Sequence, residues 1–282
     1  MSLPRHDEVE SFWSFVRERH LVWHRKMRGY PRPWTTDHAL ATYHFTNVYR
    51  ELDHGTVWFR SYLALRPPET ISELLHAVIT YRCVNRVSTF EELGVPYTPD
   101  ELACFVQRVD EGRAQKRAML TKRHQPNLIG LRKSDIVTDQ LVQAVTTAPD
   151  GFDMAEAFRR RITYVGNFFA IQFVADILHT PWSHLSTDTI IPISAGSRLA
   201  SELITTGQLG VNDKRNRMIR RDATRDELHV LRFLHDTQRA PSSMPMTHVD
   251  IEHALCEWYR WRIIQAGRAS SKVMKYEPRD AA

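Results

Sequence analysis

The sequence predicts an all-α protein, a compact two-lobed helical bundle, on three observations. Apolar residues recur at helical spacing through most of the chain. Capping residues and prolines bracket those stretches. No alternating apolar–polar run longer than about five residues stands between turn signals, so no substantial sheet is expected.

Taken in order, residues 7–28 place Phe12, Trp13, Phe15, Val16, Leu21, Val22 and Trp23 among charges at helical spacing, and Pro31 and Pro33 stop that helix. Asp37 caps a second helix expected to run to Asp53, with Gly55 at its stop; Thr56–Ala64 continues helical until Pro67 and Pro68. Thr70, followed three residues on by Glu73, is a capping-box signal for an amphipathic helix over 70–87. A further helix starts at 97–99 and runs to Arg117. Shorter ones cover 134–146 and 154–163, and an apolar one covers 165–179. Helices over 197–206, 224–239 and 247–267 complete the set, with a Pro/Ser-rich hinge at 240–245. One domain is expected over 1–267, followed by a basic tail over 268–282.

Composition bounds the function. With 282 residues, 42% hydrophobic and 25% charged, the chain has an ordinary globular makeup. No apolar run is long enough to span a bilayer, so no membrane partner is expected, and the N-terminus lacks an apolar core and reads as cytosolic. Cys83, Cys104 and Cys256 have neither zinc nor disulfide-framework spacing and read as packed thiols. The net charge of +5 is modest, but it is clustered at 25–32, 113–123, 159–161, 214–221 and 268–275. Such clusters are either solvated helix faces or a phosphate-contacting surface.

No P-loop, GxGxxG, HExxH or GxSxG motif is present, so ATP-driven phosphoryl transfer is not expected. His20 and His24 are four residues apart without an intervening glutamate, which favours surface or aromatic packing over a metal. A site without metal or cofactor is the expectation. The segment Tyr164–Leu178 holds more promise. Gly166 and Ala170 leave little bulk at the start of a helix whose N–H groups suit a phosphate, and Gln172 and Asp176 share one face of an otherwise apolar helix. That pair is either a structural hydrogen-bond node or part of a site.

Four blocks then carry a resemblance. Phe45–Thr56 reads FTNVYRELDHGT, where a family pattern reads FTNVYRELDRGT. Gly166, Phe168, Ala170, Gln172 and Asp176 match G-x-F-x-A-x-Q-x-x-x-D-L, with Ile177 in the last place. Gly196 and Arg198 match a later Gly/Arg loop, Ile193–Gly196 standing for its PGPG, and Asp250–Glu257 match D-[VI]-E-H-x-L-C-E. The chain thus resembles the helical family of thymine hypermodification. That family comprises alpha-glutamyl/putrescinyl thymine pyrophosphorylases, or amino acid:DNA transferases, and the similar helical domain associated with 5-hydroxymethyluracil DNA kinases. A fold resembling helix-hairpin-helix DNA glycosylases is implied, with the hairpin at 163–170.

The resemblance implies a reaction on double-stranded DNA in which 5-hydroxymethyluracil has been phosphorylated or pyrophosphorylated by a separate kinase. A free amino acid or polyamine then displaces the leaving group. The base must be flipped, the leaving phosphate needs cations or N–H dipoles, and the amine needs a base. For substrate binding it points to Asn47, Arg50, Gln172 and Arg198, and for catalysis to Asp176, Asp188 and Glu51, with Glu257 as a weaker base. DNA contacts are expected from Gly166 and Asn167, Gly196, Arg132 and Lys133. By spacing alone Arg50 pairs with Glu51 or Asp53 on a helix surface; Trp58, Tyr49 and Phe45 are either base-stacking platforms or core. Two other readings stay open: a non-catalytic DNA-binding partner of the kinase, and a glycosylase, which would leave an abasic site although no lysine lies between Lys133 and Lys214. A bacteriophage origin, with action in the host cytoplasm, would suit the family.

Overall fold

A computed structural model describes residues 3–110, 136–162, 165–210, 224–268 and 275. Among them the fold is all-α, with no strand and one isolated antiparallel bridge between Tyr43 and Lys275. The helices in chain order are α1 (His6–Met27), α2 (His38–Thr42), α3 (His54–Leu65), α4 (Ile71–Val84), α5 (Val87–Leu93), α6 (Pro99–Asp110), α7 (Asp139–Thr147), α8 (Gly151–Arg161), α9 (Asn167–Leu178), α10 (Ala195–Thr206), α11 (His229–Asp236) and α12 (His248–Gln265). Short 3₁₀ turns occupy Arg50–Leu52 and Arg225–Leu228. None of these helices is long and apolar enough to cross a membrane. Two compact units result: Met1–Asp53 with Ile193–Ala282, and His54–Pro192.

In the first unit α12 is the central element, packed by α1, α2, α10 and α11. Thr247 and Asp250 cap it reciprocally: the threonine hydroxyl accepts the Asp250 N–H, and the Asp250 carboxylate accepts the Thr247 N–H at 2.9 Å. Because neighbours surround it, its buried residues run right round the helix and include Asp250 and Glu252 as well as Ile251, Leu255 and Trp258. From α1, the Phe12 ring meets Trp258 edge-on at 5.9 Å, and Phe15 packs between Phe45 and Trp261.

In the second unit α4 holds that place, packed by α6, α7 and α9. Thr70 caps α4 as expected, accepting the Glu73 N–H, whereas the Glu73 carboxylate takes the N–H of Glu69 rather than of the cap. An aromatic cluster of Phe59, Tyr81, Phe90 and Phe105 fills one side, with Phe59 and Tyr81 stacked at 4.2 Å. Trp58 is flanked by Tyr62 and Tyr81, so it serves packing.

Several boundaries differ from expectation. The helix over 70–87 breaks at Asn85, which adopts the left-handed conformation (φ 48°) before α5. The 224–239 element divides into a 3₁₀ turn and α11. The helix expected over Asp37–Asp53 is the main correction. Asp37 caps α2 through the Leu40 N–H, but regular helix ends at Thr42, because from residue 44 onward the backbone finds its partners in other elements. Cys104 is exposed rather than packed. Much of the basic clusters at 113–123, 214–221 and 268–275 lies outside the described residues.

On α4, His76 Nδ1 and Thr80 Oγ1 lie one turn apart, both buried and neither with a partner among the described residues. An unpaired buried hydroxyl costs about 1–3 kcal/mol. Thr80→Val, which puts a methyl in its place, should therefore raise the unfolding free energy by about 1 kcal/mol in urea titration. A loss of stability would show that the hydroxyl has a partner.

Candidate functional site

The stretch from His44 to Arg50 is held by side chains of α1 and α12, and only beyond it does the 3₁₀ turn supply helical hydrogen bonds, from Leu52 to Tyr49 and from Asp53 to Arg50. Arg19 donates from Nε and Nη2 to the Phe45 carbonyl at 3.2 and 2.8 Å, and Arg260 donates to the His44 carbonyl at 2.5 Å. The Thr46 N–H donates to Glu257 at 3.1 Å, while the Thr46 hydroxyl and His253 Nε2 lie 2.6 Å apart. The Arg50 N–H donates to Asp250 at 2.6 Å. Asn47 folds back on its own chain, its Oδ1 accepting the Tyr49 N–H at 3.0 Å. Its Nδ2, buried with the rest of a side chain only 2% exposed, has no partner among the described residues.

Beside this stretch, α10 starts against α12. An added Cβ on Gly196 would lie 2.3 Å from Cys256 Sγ, so the glycine permits this close helix contact. Glu252 takes the Ser194 N–H at 2.9 Å and the Ser197 hydroxyl. A carboxyl group of the protein's own thus sits at the start of α10. Burial pushes the Glu252 carboxyl above the usual carboxylate range, opposed by the hydrogen bonds from Ser197 and Ser194 and by the Arg50 charge. Burial raises Asp250 and Glu257 in the same way. Arg50 is 4% exposed and lies 3.6 Å from Asp53, and Arg198 lies 3.3 Å from Glu227. The first unit therefore buries Asn47, Arg50, Asp250 and Glu252, with the half-buried His253 on Thr46, the residue before Asn47.

The second unit has a different polar centre. Arg82 grips both oxygens of Asp176 at 2.5 Å and also donates to Thr56 and Asn85. Gln172 lies one turn before Asp176 and is buried as well. At the start of α9 Gly166 is exposed, and no described residue lies within 4 Å of where its Cβ would be. Phe168, one residue into the helix, is 37% exposed.

A family model described as the helical domain of 5-hmdU DNA kinase matches residues 6–268. The chain belongs to that family. Over 81 residues it is 33% identical to the 5-hmdU DNA kinase of Bacillus phage SP10, an alignment covering 27% of this chain and 13% of that protein. No solved structure matches the chain.

Within this family member, the residues singled out in the sequence fall into both units. Asn47, Arg50, Glu51, Gly196 and Arg198 belong to the first; Gly166, Asn167, Gln172, Asp176 and Asp188 belong to the second. Asn47, Arg50, Glu51 and Asp53 do not share a helix as expected: the first precedes the 3₁₀ turn and the last follows it. Asp188 is exposed in a loop, its N–H on the Ser186 hydroxyl. Arg132, Lys133 and the hairpin residues Thr163 and Tyr164 lie outside the described residues. Phe45 and Tyr49 are buried, Phe45 beneath the Arg260 guanidinium at 4.3 Å and Tyr49 hydrogen-bonded to Ser242 and Met244. Sequence reasoning missed the roles of Asp250, Glu252 and His253, although their block was legible, and missed Arg82, which no local pattern ties to Asp176.

His20 supports the site from α1. It stacks on Trp23 and meets His24 and Tyr49 edge-on, a packing role as expected. Burial, with the nearby charges of His24 and Arg19, lowers its pKa from the ordinary 6.5 to about 4. The folded state therefore resists protonation that the unfolded chain accepts. Its contribution to stability is complete above pH 6.5 and is lost as pH falls toward 4. The raised carboxylates act in the opposite sense, so the comparison with a variant isolates the histidine. His20→Phe should remove up to about 3 kcal/mol of the stability lost between those pH values, measured by denaturant titration at each pH.

Proposed function

We propose that the chain is a DNA base-hypermodification transferase. It joins an amine, from an amino acid or a polyamine, to 5-hydroxymethyluracil that already carries a phosphate or pyrophosphate. Membership of the family supports the pathway, since the model that matches is named for a 5-hmdU DNA kinase. The observation that carries the assignment is the buried Asn47 amide, whose Nδ2 has no partner among the described residues and lies close in sequence to the cation Arg50. A buried donor without a partner among the described residues, three positions from a buried cation, fits a ligand that completes it.

In this reading the flipped base enters the first unit, where the Asn47 amide contacts a base carbonyl and Arg50 binds the leaving phosphate. The amine nitrogen attacks the exocyclic carbon, the C–O bond to (pyro)phosphate breaks with its electron pair on oxygen, and the ammonium proton passes to a base. We assign that role to His253, whose Nε2 lies 2.6 Å from the Thr46 hydroxyl in the same stretch as Asn47. Glu51 is a second candidate on the 3₁₀ turn. Asp176 belongs to the second unit, where both its oxygens are held by Arg82. Gly166 and Asn167 at the open start of α9, with Phe168 exposed beside them, would meet the DNA backbone.

A second reading has its own support. The matching model is named as a helical domain, which fits a DNA-binding partner of a kinase that turns over nothing alone. Mass spectrometry of nucleosides from phosphorylated 5-hydroxymethyluracil DNA, incubated with the protein and pooled amino acids and polyamines, separates the two. The expected product is thymidine plus one amine adduct. Arg50→Gln, with folding checked by circular dichroism, should lower kcat/KM by about ten- to a hundredfold, as loss of a charged hydrogen bond implies. Tight DNA binding with unchanged nucleosides would favour the partner reading, and abasic sites would indicate a glycosylase.

A further inference from the structure

The end of α1 and the loop after it form a basic surface that the site above does not use. From Arg19 to Thr36 the chain carries Arg19, Arg25, Lys26, Arg28 and Arg32 and no acidic residue. Arg19 turns inward to Phe45, but the other four lie at the helix end or beyond it. Their arrangement is built around one aromatic ring. The Trp34 indole N–H donates to the Tyr30 carbonyl at 2.6 Å, and Arg25 donates to the Trp34 carbonyl at 2.5 Å. The Lys26 ammonium and the Arg32 guanidinium lie 5.7 and 4.6 Å from the Trp34 ring centre. Arg28 and Tyr30 are exposed, the tyrosine by 56%.

A solvated helix end explains part of this, since cations near a C-terminus offset its dipole. It accounts for Arg25 and Lys26. It does not account for Arg28 and Arg32, which follow the helix, or for the use of a tryptophan to fix two cations in place. A cluster of cations without a neighbouring acid suits phosphates, and the match to a model named for a DNA kinase favours a nucleic-acid backbone over a lipid surface.

We propose that the segment 26–34 is a docking surface for the phosphate backbone of double-stranded DNA, with the exposed Lys26 and Arg28 as the contacting cations. It works by neutralising phosphates and so fixes the duplex without reading sequence. The choice of DNA rests on the transferase reading, but the surface is separate from Asn47 and Arg50 and is tested separately.

The experiment is fluorescence anisotropy of an unmodified 30-base-pair duplex with the full chain over a range of salt concentrations. The variant is the double substitution Lys26→Gln with Arg28→Gln, at two exposed positions. Each phosphate no longer neutralised should make the slope of log K against log salt less negative by about 0.9, so a change of about 2 and at least a tenfold drop in affinity at low salt are expected. Arg108→Gln, a change of one cation in the other unit, should leave both quantities unchanged. If the wild-type chain binds the duplex and the double variant matches it in slope and affinity, the surface is refuted while the transferase reading stands. If the wild-type chain does not bind the duplex even at low salt, both fail. If the double variant instead loses binding only to phosphatidylserine vesicles, the surface is a membrane contact and the proposal is overturned.

Discussion

Carboxylates buried along α12 hold a stretch of backbone that cannot hold itself. Asp250 takes the Arg50 N–H, Glu257 takes the Thr46 N–H, and Arg260 and Arg19 donate to the carbonyls of His44 and Phe45. A backbone group buried without a partner costs as much as a lost hydrogen bond, so these bonds are a condition of having irregular chain in the core. In return, Asn47 is held in irregular backbone and Arg50 at the first position of the 3₁₀ turn. Glu252 extends the same device to the start of α10. The cost appears in the raised carboxyl pKa values of Asp250, Glu252 and Glu257, which burial disfavours in the charged form.

Arg82 and Asp176 show the same device in the second unit, with a different consequence. A buried, bidentate pair adds little net stability over a well-packed apolar pair, yet losing one partner strands a charge. Its value lies in geometry: Arg82 joins α4 to α9 and, through Thr56, to the first turn of α3. The sequence block around Gln172 and Asp176 therefore carries structural demands whatever chemistry it also serves.

How much of this was legible follows from what each feature depends on. Helix type and the caps at Asp37 and Thr70 are local, and they were readable from spacing and cap residues; the cap at Thr247 is as local but was not read. The segment 43–49 was misread because Asp37 is a good cap and the residues after it suit a helix; what ended the helix are partners some two hundred positions away, which no local pattern reports. The roles of Asp250 and Glu252 were hidden for a related reason. α12 is enclosed on several sides, so its charged positions form no polar face and look like ordinary surface charges in the sequence. Asn47 and Arg50 were singled out from the resemblance rather than from spacing, which favoured a surface pair.

The central claim is that side chains of α12 hold the backbone of residues 44–50 in place of helical hydrogen bonds. Amide hydrogen exchange followed by NMR tests it directly. The Thr46 and Arg50 amides should exchange as slowly as those in the middle of α12, although neither belongs to an α-helix. Exchange as fast as that of an exposed loop at both positions would mean that Glu257 and Asp250 do not hold this stretch, and that Asn47 and Arg50 have no fixed place from which to act.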